Sequence, residues 1–195
     1  MLLIRAMQRV PQPWHNGGGH TREILARPAG VDWTLRVSLA DIEADGPFSS
    51  FPGVERWFAV VQGAGVILRF SSGERRVRRG DPPLCFDGAP APGCSLIDGP
   101  TQDLNLMVRD GIGAMRPAQA DEPWNERFDE RGLFTVSAGQ FHHESTGSSG
   151  NNRQDPGLRL EAYTLLWNLG NNRCRFVPDG QGICGWWLGY SGNGP

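Results

Sequence analysis

The residues of this chain best suited to chemistry lie in the stretch PWHNGGGHTREI, at positions 13–24. Three consecutive glycines, 17–19, follow an asparagine, and His15, His20 and Glu23 lie close by. Glycine permits positive φ and close approach of the backbone, so N–H groups exposed there could line a pocket for a small polar ligand. A tight turn between two strands is the alternative, and it needs no ligand.

Several common site classes do not fit this sequence. All 19 basic residues are arginine, which excludes a P-loop lysine and a Schiff-base lysine. Pro28 follows the glycines too closely for the helix of a dinucleotide-binding turn. His15 and His20 lack a tight metal-ligand spacing, and the adjacent His142 and His143 would point to opposite faces of a strand. No nucleophile with a histidine and an acid at a recognisable spacing is found, and the four cysteines form no CxxC pair.

Composition narrows the class of protein further. The 195 residues suit one compact domain or two small fused halves, and a net charge of -2 gives no reason to expect a nucleic-acid or anionic-membrane partner. No apolar run reaches the length of a membrane span, and the N-terminus is too short and too charged for a signal peptide. We therefore expect a cytoplasmic protein.

The elements that must position these residues are strands. Alternation in TLRVSLADI, residues 34–42, puts Leu35, Val37 and Leu39 on one face and Arg36 on the other. The stretch 56–70, RWFAVVQGAGVILRF, predicts a strand, a hairpin at 63–65 and a returning strand. The stretches CSLIDG and DLNLMVRDG continue the pattern between turn residues, so the sequence predicts an all-β sandwich or barrel.

The chain divides near residue 110. We predict an N-terminal half at 1–110 and a smaller C-terminal β half at 111–195, joined by a polar, proline-broken connector that follows residue 111. Within the second half, residues 142–157 are rich in Gly, Ser and Asn and predict a mobile loop.

Four ordered motifs carry a family resemblance. WHNGGGHTREI, WTLRVSLADI, DGPFSSFPGVERWFAVVQGAGVIL and GPTQDLNLMVRDG, within residues 10–110, are similar to those of the HutD/Ves family of small bacterial proteins. The resemblance implies a cupin-type (RmlC-like) double-stranded β-helix, a bicupin whose second half is degenerate here. It also implies a regulator attached to histidine utilisation or stress responses, with no established enzymatic activity.

The cupin comparison makes a specific statement about the site. Counting back seven residues from Gly63 places Arg56 where a metal-binding cupin carries its glutamate ligand, and the HxH positions fall near Ser50 and Pro52. The second cupin motif aligns on FDGAPA, with Ala91 in place of histidine. Every metal ligand is replaced, and the arginine would turn a cation site into an anion site. We therefore expect no metal and no cofactor.

Around Arg56 we predict a ligand site whose members share the polar face of the strands or border the glycine turn. Its residues are Arg56, Arg36, Ser38, Asn105, Met107, Trp14, Asn16 and Gly18. The planar fork of a guanidinium suits a carboxylate. The alternatives are that Arg56 forms a structural ion pair with Glu23 or Glu55 at the barrel rim, and that Trp14 packs in the core.

Three functional hypotheses remain open at this level. A metal-free sensor of a small carboxylate metabolite is favoured, and the resemblance suggests a histidine-breakdown intermediate as its ligand. A metal-independent isomerase or lyase would use His20 and Glu23 as proton carriers, although these would not share one face of an extended segment. A structural interaction protein would have a filled barrel. A homodimer is compatible with the sequence, which does not decide the oligomeric state.

The replaced ligand positions yield a direct prediction about metal content. The purified protein should contain no stoichiometric transition metal, because arginine, serine and proline at the aligned positions do not ligate divalent cations. Elemental analysis checks this, and one zinc, iron or manganese per chain would overturn the alignment.

Overall fold

The protein consists almost entirely of β-strands. The structure is a computed structural model that describes residues 1–120, 122–144 and 157–193. Within these ranges a single 3-10 turn, Ala6–Gln8, accompanies eighteen strands. The strands are β1 Leu2–Arg5, β2 Gln12–Pro13, β3 Gly19–Arg27, β4 Leu35–Ile42, β5 Gly46–Pro47, β6 Glu55–Gln62, β7 Val66–Phe70, β8 Gly73–Val77, β9 Leu84–Asp87, β10 Gly93–Leu96, β11 Thr101–Val108, β12 Ile112–Pro117, β13 Glu130–Thr135, β14 Gly139–Glu144, β15 Leu158–Leu160, β16 Thr164–Trp167, β17 Arg173–Pro178 and β18 Gly185–Ser191.

These strands form four sheets in two barrel-like halves. The first half has a six-stranded sheet, β2-β3-β4-β11-β6-β9, facing a four-stranded sheet, β5-β10-β7-β8. The second half has a five-stranded sheet, β1-β16-β13-β18-β12, facing a three-stranded sheet, β15-β14-β17. The predicted all-β class is therefore confirmed.

The two large sheets pack against each other through their apolar faces. The buried cluster between them is contributed by β4, β6 and β11 on one side and by β12, β13, β16 and β18 on the other. Its members include Leu35, Val37, Leu39, Leu104 and Leu106. Because side chains of a strand alternate, the intervening residues of the first sheet must face the interior of the first barrel.

The side chains of β6 alternate between two buried clusters. Phe58 and Val60 belong to the core of the first barrel, whereas Ala59 and Val61 belong to the cluster between the large sheets. The register between β6 and β11 shifts between Gln102 and Asp103. Such irregularities re-aim side chains and occur often beside functional sites.

The predicted hairpin at residues 63–65 is wrong. β6 pairs with β11 and β9, while β7 pairs with β10 and β8, so the chain passes from one sheet to the other at this corner. Gly63 and Gly65 are needed there because a Cβ would lie 2.5 Å from the Pro100 carbonyl oxygen and 2.2 Å from that of Val77, respectively.

One strand from the start of the chain belongs to the second half. β1 lies at the edge of the second half's large sheet, where Leu2–Arg5 pairs antiparallel with β16. The connector expected after residue 111 begins with a strand, because β12 pairs with β18 along its length. Of the loop predicted at 142–157, residues 142–144 belong to β14, and 145–156 lie outside the described residues.

The described residues of the second half enclose a buried cluster rich in aromatic side chains. Trp124 stacks on Trp187, with ring centroids 5.2 Å apart, and on Phe128. Phe141 and Phe176 complete this buried cluster.

The glycine run is a turn whose N–H groups are bonded within the chain. The Gly17 N–H donates to the Trp14 carbonyl at 3.0 Å, and the Gly18 N–H donates to Asn16 Oδ1 at 3.1 Å. Gly17 has a φ of 70°, whereas Gly18 lies outside the positive-φ region. Gly19 is the position that admits no side chain, because a Cβ would lie 2.0 Å from the Asp41 carbonyl oxygen.

This geometry predicts a contrast between two adjacent glycines. Gly19→Ala should lower the free energy of unfolding by about 1–3 kcal/mol, because β3 and β4 must separate to admit the methyl group. Gly18→Ala is the matched control, since its Cβ would meet Asn16 Oδ1 at 3.4 Å, an ordinary contact. Urea unfolding of both variants measures the difference, and equal stabilities would contradict the close approach at Gly19.

Candidate ligand-binding site

The first barrel contains a cavity of about 400 Å³, lined by the six-stranded sheet and by residues of the segment 47–51. Seven of the eight predicted site residues line it: Arg56, Arg36, Ser38, Asn105, Met107, Trp14 and Asn16. The eighth, Gly18, does not line the cavity. Asp103, Thr21, Phe48 and Phe51 are among the lining residues that the sequence did not lead us to select.

The register of three adjacent strands explains how the predicted residues come together. Met107 of β11 lies between Arg36 of β4 and Arg56 of β6. One step further along the same face, Asn105 lies between Ser38 and Phe58. The polar floor of the cavity is therefore the barrel-facing side of β4, β11 and β6.

Arg56 is more deeply buried than its position at a strand start suggested. It is 6% exposed, and its guanidinium lies 5.0, 5.7 and 5.2 Å from the ring centroids of Phe48, Phe51 and Phe86. Burial lowers the pKa of Arg56 to about 10, against an opposing effect of Asp103. The three rings exclude water from a group that stays cationic at neutral pH.

Arg56 is not engaged in the ion pair considered as its structural alternative. Its Nη2 donates to Asn105 Oδ1 at 2.8 Å, and its buried Nε has no hydrogen-bond partner among the described residues. Glu23 instead accepts from Arg36, and Glu55 accepts from the indole of Trp57. The guanidinium therefore retains unused donors beside the cavity.

Asp103 is the main site residue that the sequence analysis missed. It is 1% exposed and lines the cavity, and its Oδ1 accepts a hydrogen bond from Asn105 Nδ2. Burial raises the pKa of Asp103 to about 7, while Arg56 and the Asn105 hydrogen bond oppose that rise. The sequence DLNLMVR could have indicated it, because Asp103 lies on the same strand face as Asn105 and Met107 and alternates with apolar leucines.

Asn105 connects the two buried charges. Its amide oxygen accepts from Arg56 and its amide nitrogen donates to Asp103, so both ends of the side chain are fixed. In the described residues Arg56 and Asp103 each bond to Asn105 rather than to each other. The arrangement keeps a cation and a carboxyl group apart on one polar floor.

Arg36 and Trp14 are both partly occupied by protein contacts. Arg36 Nε donates to Glu23 Oε2 at 3.0 Å, and its guanidinium lies 5.9 Å from the Trp33 ring centroid. Trp14 Nε1 donates to Thr21 Oγ1 at 2.8 Å. Trp14 also packs edge-on against Phe48, so it both lines the cavity and joins the core.

The turn beside the cavity mouth is held by Asn16. Its Oδ1 accepts from the Gly18 N–H, and its Nδ2 donates to the Pro47 carbonyl at 3.4 Å. The N–H groups of Gly17 and Gly18 are thus used within the turn and are not available to a ligand at the mouth. The pocket-lining role expected for Gly18 is not seen, since its N–H is already used.

The acid–base pair of the enzyme hypothesis is not assembled. His20 Nε2 lies 2.9 Å from Asp41 Oδ2, whereas Glu23 pairs with Arg36. In the pairing of β3 with β4, His20 lies opposite Asp41 and Glu23 lies opposite Ser38, three positions apart. Because strand faces alternate, the two side chains lie on opposite faces.

Within residues 1–120, 122–144 and 157–193, no three His, Cys, Asp or Glu side chains are grouped as a metal ion would need. In the same part of the chain, no helix has the length and apolar character required to cross a bilayer.

Two fused β-barrels built from one chain define the bicupin class, and comparison with solved structures supports this class. HutD from Pseudomonas fluorescens aligns over 99% of both chains with a TM-score of 0.80 and 26% identity. An oxalate decarboxylase variant from Bacillus subtilis aligns over 98% of this chain and 78% of its own, with a TM-score of 0.62 and 9% identity, which bears on fold alone.

The HutD family model matches residues 6–184, so the chain belongs to the HutD family. Protein Ves of Citrobacter koseri is 38% identical over 128 residues, which cover 64% of this chain and 66% of that protein. A 21.2 kDa protein encoded in the hutC 3′ region of Pseudomonas putida is 37% identical over 109 residues, covering 54% of this chain and 56% of its own length. The match therefore spans less than two thirds of either relative.

The buried carboxyl predicts a pH dependence of stability. Because the folded protein holds the Asp103 proton more tightly than the unfolded chain, its stabilising contribution is complete below about pH 4 and is lost as the pH rises to about 7. Asp103→Asn should therefore gain stability relative to wild type across this window, by up to about 1.4 kcal/mol per pH unit, and level off above it.

Urea unfolding at several pH values measures this difference. Asp32→Asn, at an exposed site, is the control and should keep the wild-type pH profile. A difference between Asp103→Asn and wild type that is constant from pH 4 to pH 8 would show that Asp103 does not titrate in this window.

Proposed function

We propose that this protein binds a small carboxylate metabolite in the first barrel and acts as a cytoplasmic regulator or sensor. The observation that carries this proposal is Arg56, a cavity-lining arginine that is 6% exposed and whose terminal N–H groups make a single hydrogen bond in the described residues, from Nη2 to Asn105. A buried donor left without an acceptor costs roughly 1–3 kcal/mol, and more when it is charged. A bound acceptor would recover that cost.

The chemistry of the cavity favours a carboxylate as this acceptor. A guanidinium offers a planar fork that matches the two oxygens of a carboxylate, and the surrounding rings of Phe48, Phe51 and Phe86 strengthen charge-assisted bonds by excluding water. Ser38 and Thr21 add hydroxyl groups, and Met107 adds adaptable apolar surface. The cavity volume of about 400 Å³ suits a small metabolite.

The relatives support a connection with histidine utilisation. The P. putida relative is encoded in the hutC 3′ region. The P. fluorescens HutD structure was obtained under a "Formate condition", and formate is a small carboxylate. On this basis we propose a histidine-breakdown intermediate, such as a formylated or formimino glutamate or urocanate, as the ligand. A sensor is favoured over an isomerase or lyase because His20 and Glu23 are separated on opposite faces of β3.

Arg56 variants test the proposal directly. Arg56→Ala should weaken carboxylate binding by about tenfold to a hundredfold, since a charged hydrogen bond contributes roughly 1.5–3 kcal/mol. Arg56→Lys should restore part of the affinity, because an ammonium keeps the charge and loses the fork. Calorimetric titration of an acid found by thermal-shift screening of mono- and dicarboxylates gives the affinities.

Arg75→Ala is a matched control because it removes an exposed arginine of β8 that does not line the cavity. It should leave the affinity unchanged. Undiminished affinity in folded Arg56→Ala would refute the carboxylate site at Arg56. Lost stability with intact affinity would identify Arg56 as a structural residue.

A further inference from the structure

A second polar group in the cavity, the Asp103 carboxyl, has hydrogen-bond acceptors that the protein does not use. Asp103 lines the cavity and is 1% exposed, and the hydrogen bond to its side chain within the described residues is the one that Oδ1 accepts from Asn105. Its other oxygen therefore has no donor in that part of the chain. An ionised carboxylate can accept about four hydrogen bonds, so most of the accepting capacity of Asp103 is free.

The charges that face the cavity define what would complement them. Arg36 is paired with Glu23, whereas Arg56 and Asp103 are each bonded to the neutral amide of Asn105. The cavity thus presents one cationic and one anionic group without a charged partner in direct contact. A ligand that pairs with both groups must place a negative charge at Arg56 and a positive charge at Asp103.

We propose that the ligand is a zwitterion, with a carboxylate on Arg56 and an ammonium, amidinium or imidazolium N–H group on Asp103. This proposal rests on the carboxylate site at Arg56 and adds a second recognition point to it. The charged N–H donor pairs with the free oxygen of Asp103, which makes Asp103 a specificity-determining residue. No bond to the ligand other than hydrogen bonds is required.

The strand geometry sets the spacing between the two charged groups of the ligand. Asp103 and Asn105 are two residues apart on one face of β11, about 7 Å between their Cα atoms, and Arg56 reaches the amide of Asn105. The carboxylate and the cation should therefore be separated by a short chain of a few carbon atoms. Longer or shorter ligands would satisfy one charge and leave the other unpaired.

A ladder of simple acids tests this proposal without knowledge of the natural ligand. The probes are β-alanine, 4-aminobutyrate and 5-aminovalerate, each compared with the acid that lacks the amino group: propionate, butyrate and valerate. Calorimetric titration at pH 8 keeps Asp103 largely ionised. At least one amino acid of the ladder should bind about tenfold or more tightly than its matched acid, the size of one charge-assisted hydrogen bond.

Substitutions of Asp103 test whether this residue causes the tighter binding of the amino acid. Asp103→Asn should reduce the advantage of the amino acid to about twofold or less while binding of the plain acid is retained. Asp103→Ser serves the same purpose with a smaller side chain if Asp103→Asn does not fold. Glu43→Gln, which removes an exposed carboxylate outside the cavity, should leave the advantage intact.

The outcomes separate this proposal from the one on which it rests. If plain acids bind through Arg56 and no amino acid of the ladder binds more tightly, the zwitterion proposal is overturned and the carboxylate site stands. An advantage that persists in both Asp103 variants also overturns it. If none of the six probes binds wild type while an acid from the thermal-shift screen binds through Arg56, the zwitterion proposal is overturned and the carboxylate site stands. If no acid of the screen binds either, both proposals fail.

Discussion

Face-to-face packing of the two large sheets is the constraint on which the rest of the structure depends. It commits alternate residues of β4, β6 and β11 to an apolar cluster shared by both halves. The remaining residues of the same strands must then face the interior of the first barrel. Since a slip of one residue would exchange the two faces, this packing fixes the register that places Arg36, Asn105 and Arg56 on one floor.

The interiors of the two barrels differ in what occupies them. The second fills its interior with Trp124, Trp187, Phe141 and other aromatic side chains, which maximises apolar burial. The first leaves about 400 Å³ open and lines it with both polar side chains, such as Arg56 and Asp103, and apolar ones, such as Phe48. The first barrel also has a buried apolar cluster, which includes Phe58, Val60 and Leu68, so its polar floor occupies only part of the interior.

Burying a cation and a carboxyl group in the first barrel is costly to folding. Burial lowers the pKa of Arg56 to about 10 and raises that of Asp103 to about 7, and both shifts express loss of hydration of the charged form. Asn105 offsets part of the cost by bonding to both groups. Strained or unsatisfied features of this kind cluster at functional sites, where a ligand completes them.

The sequence by itself determined the all-β class, because apolar alternation in segments such as TLRVSLADI needs only local geometry. It also placed Arg36, Ser38, Asn105 and Met107 on the polar faces of their strands. Only the tertiary structure decided that β7 leaves the sheet of β6, since pairing depends on which edges distant strands occupy. It likewise decided how deeply Arg56 lies and that Asp103 joins it, because burial and hydrogen bonding arise between strands far apart in sequence.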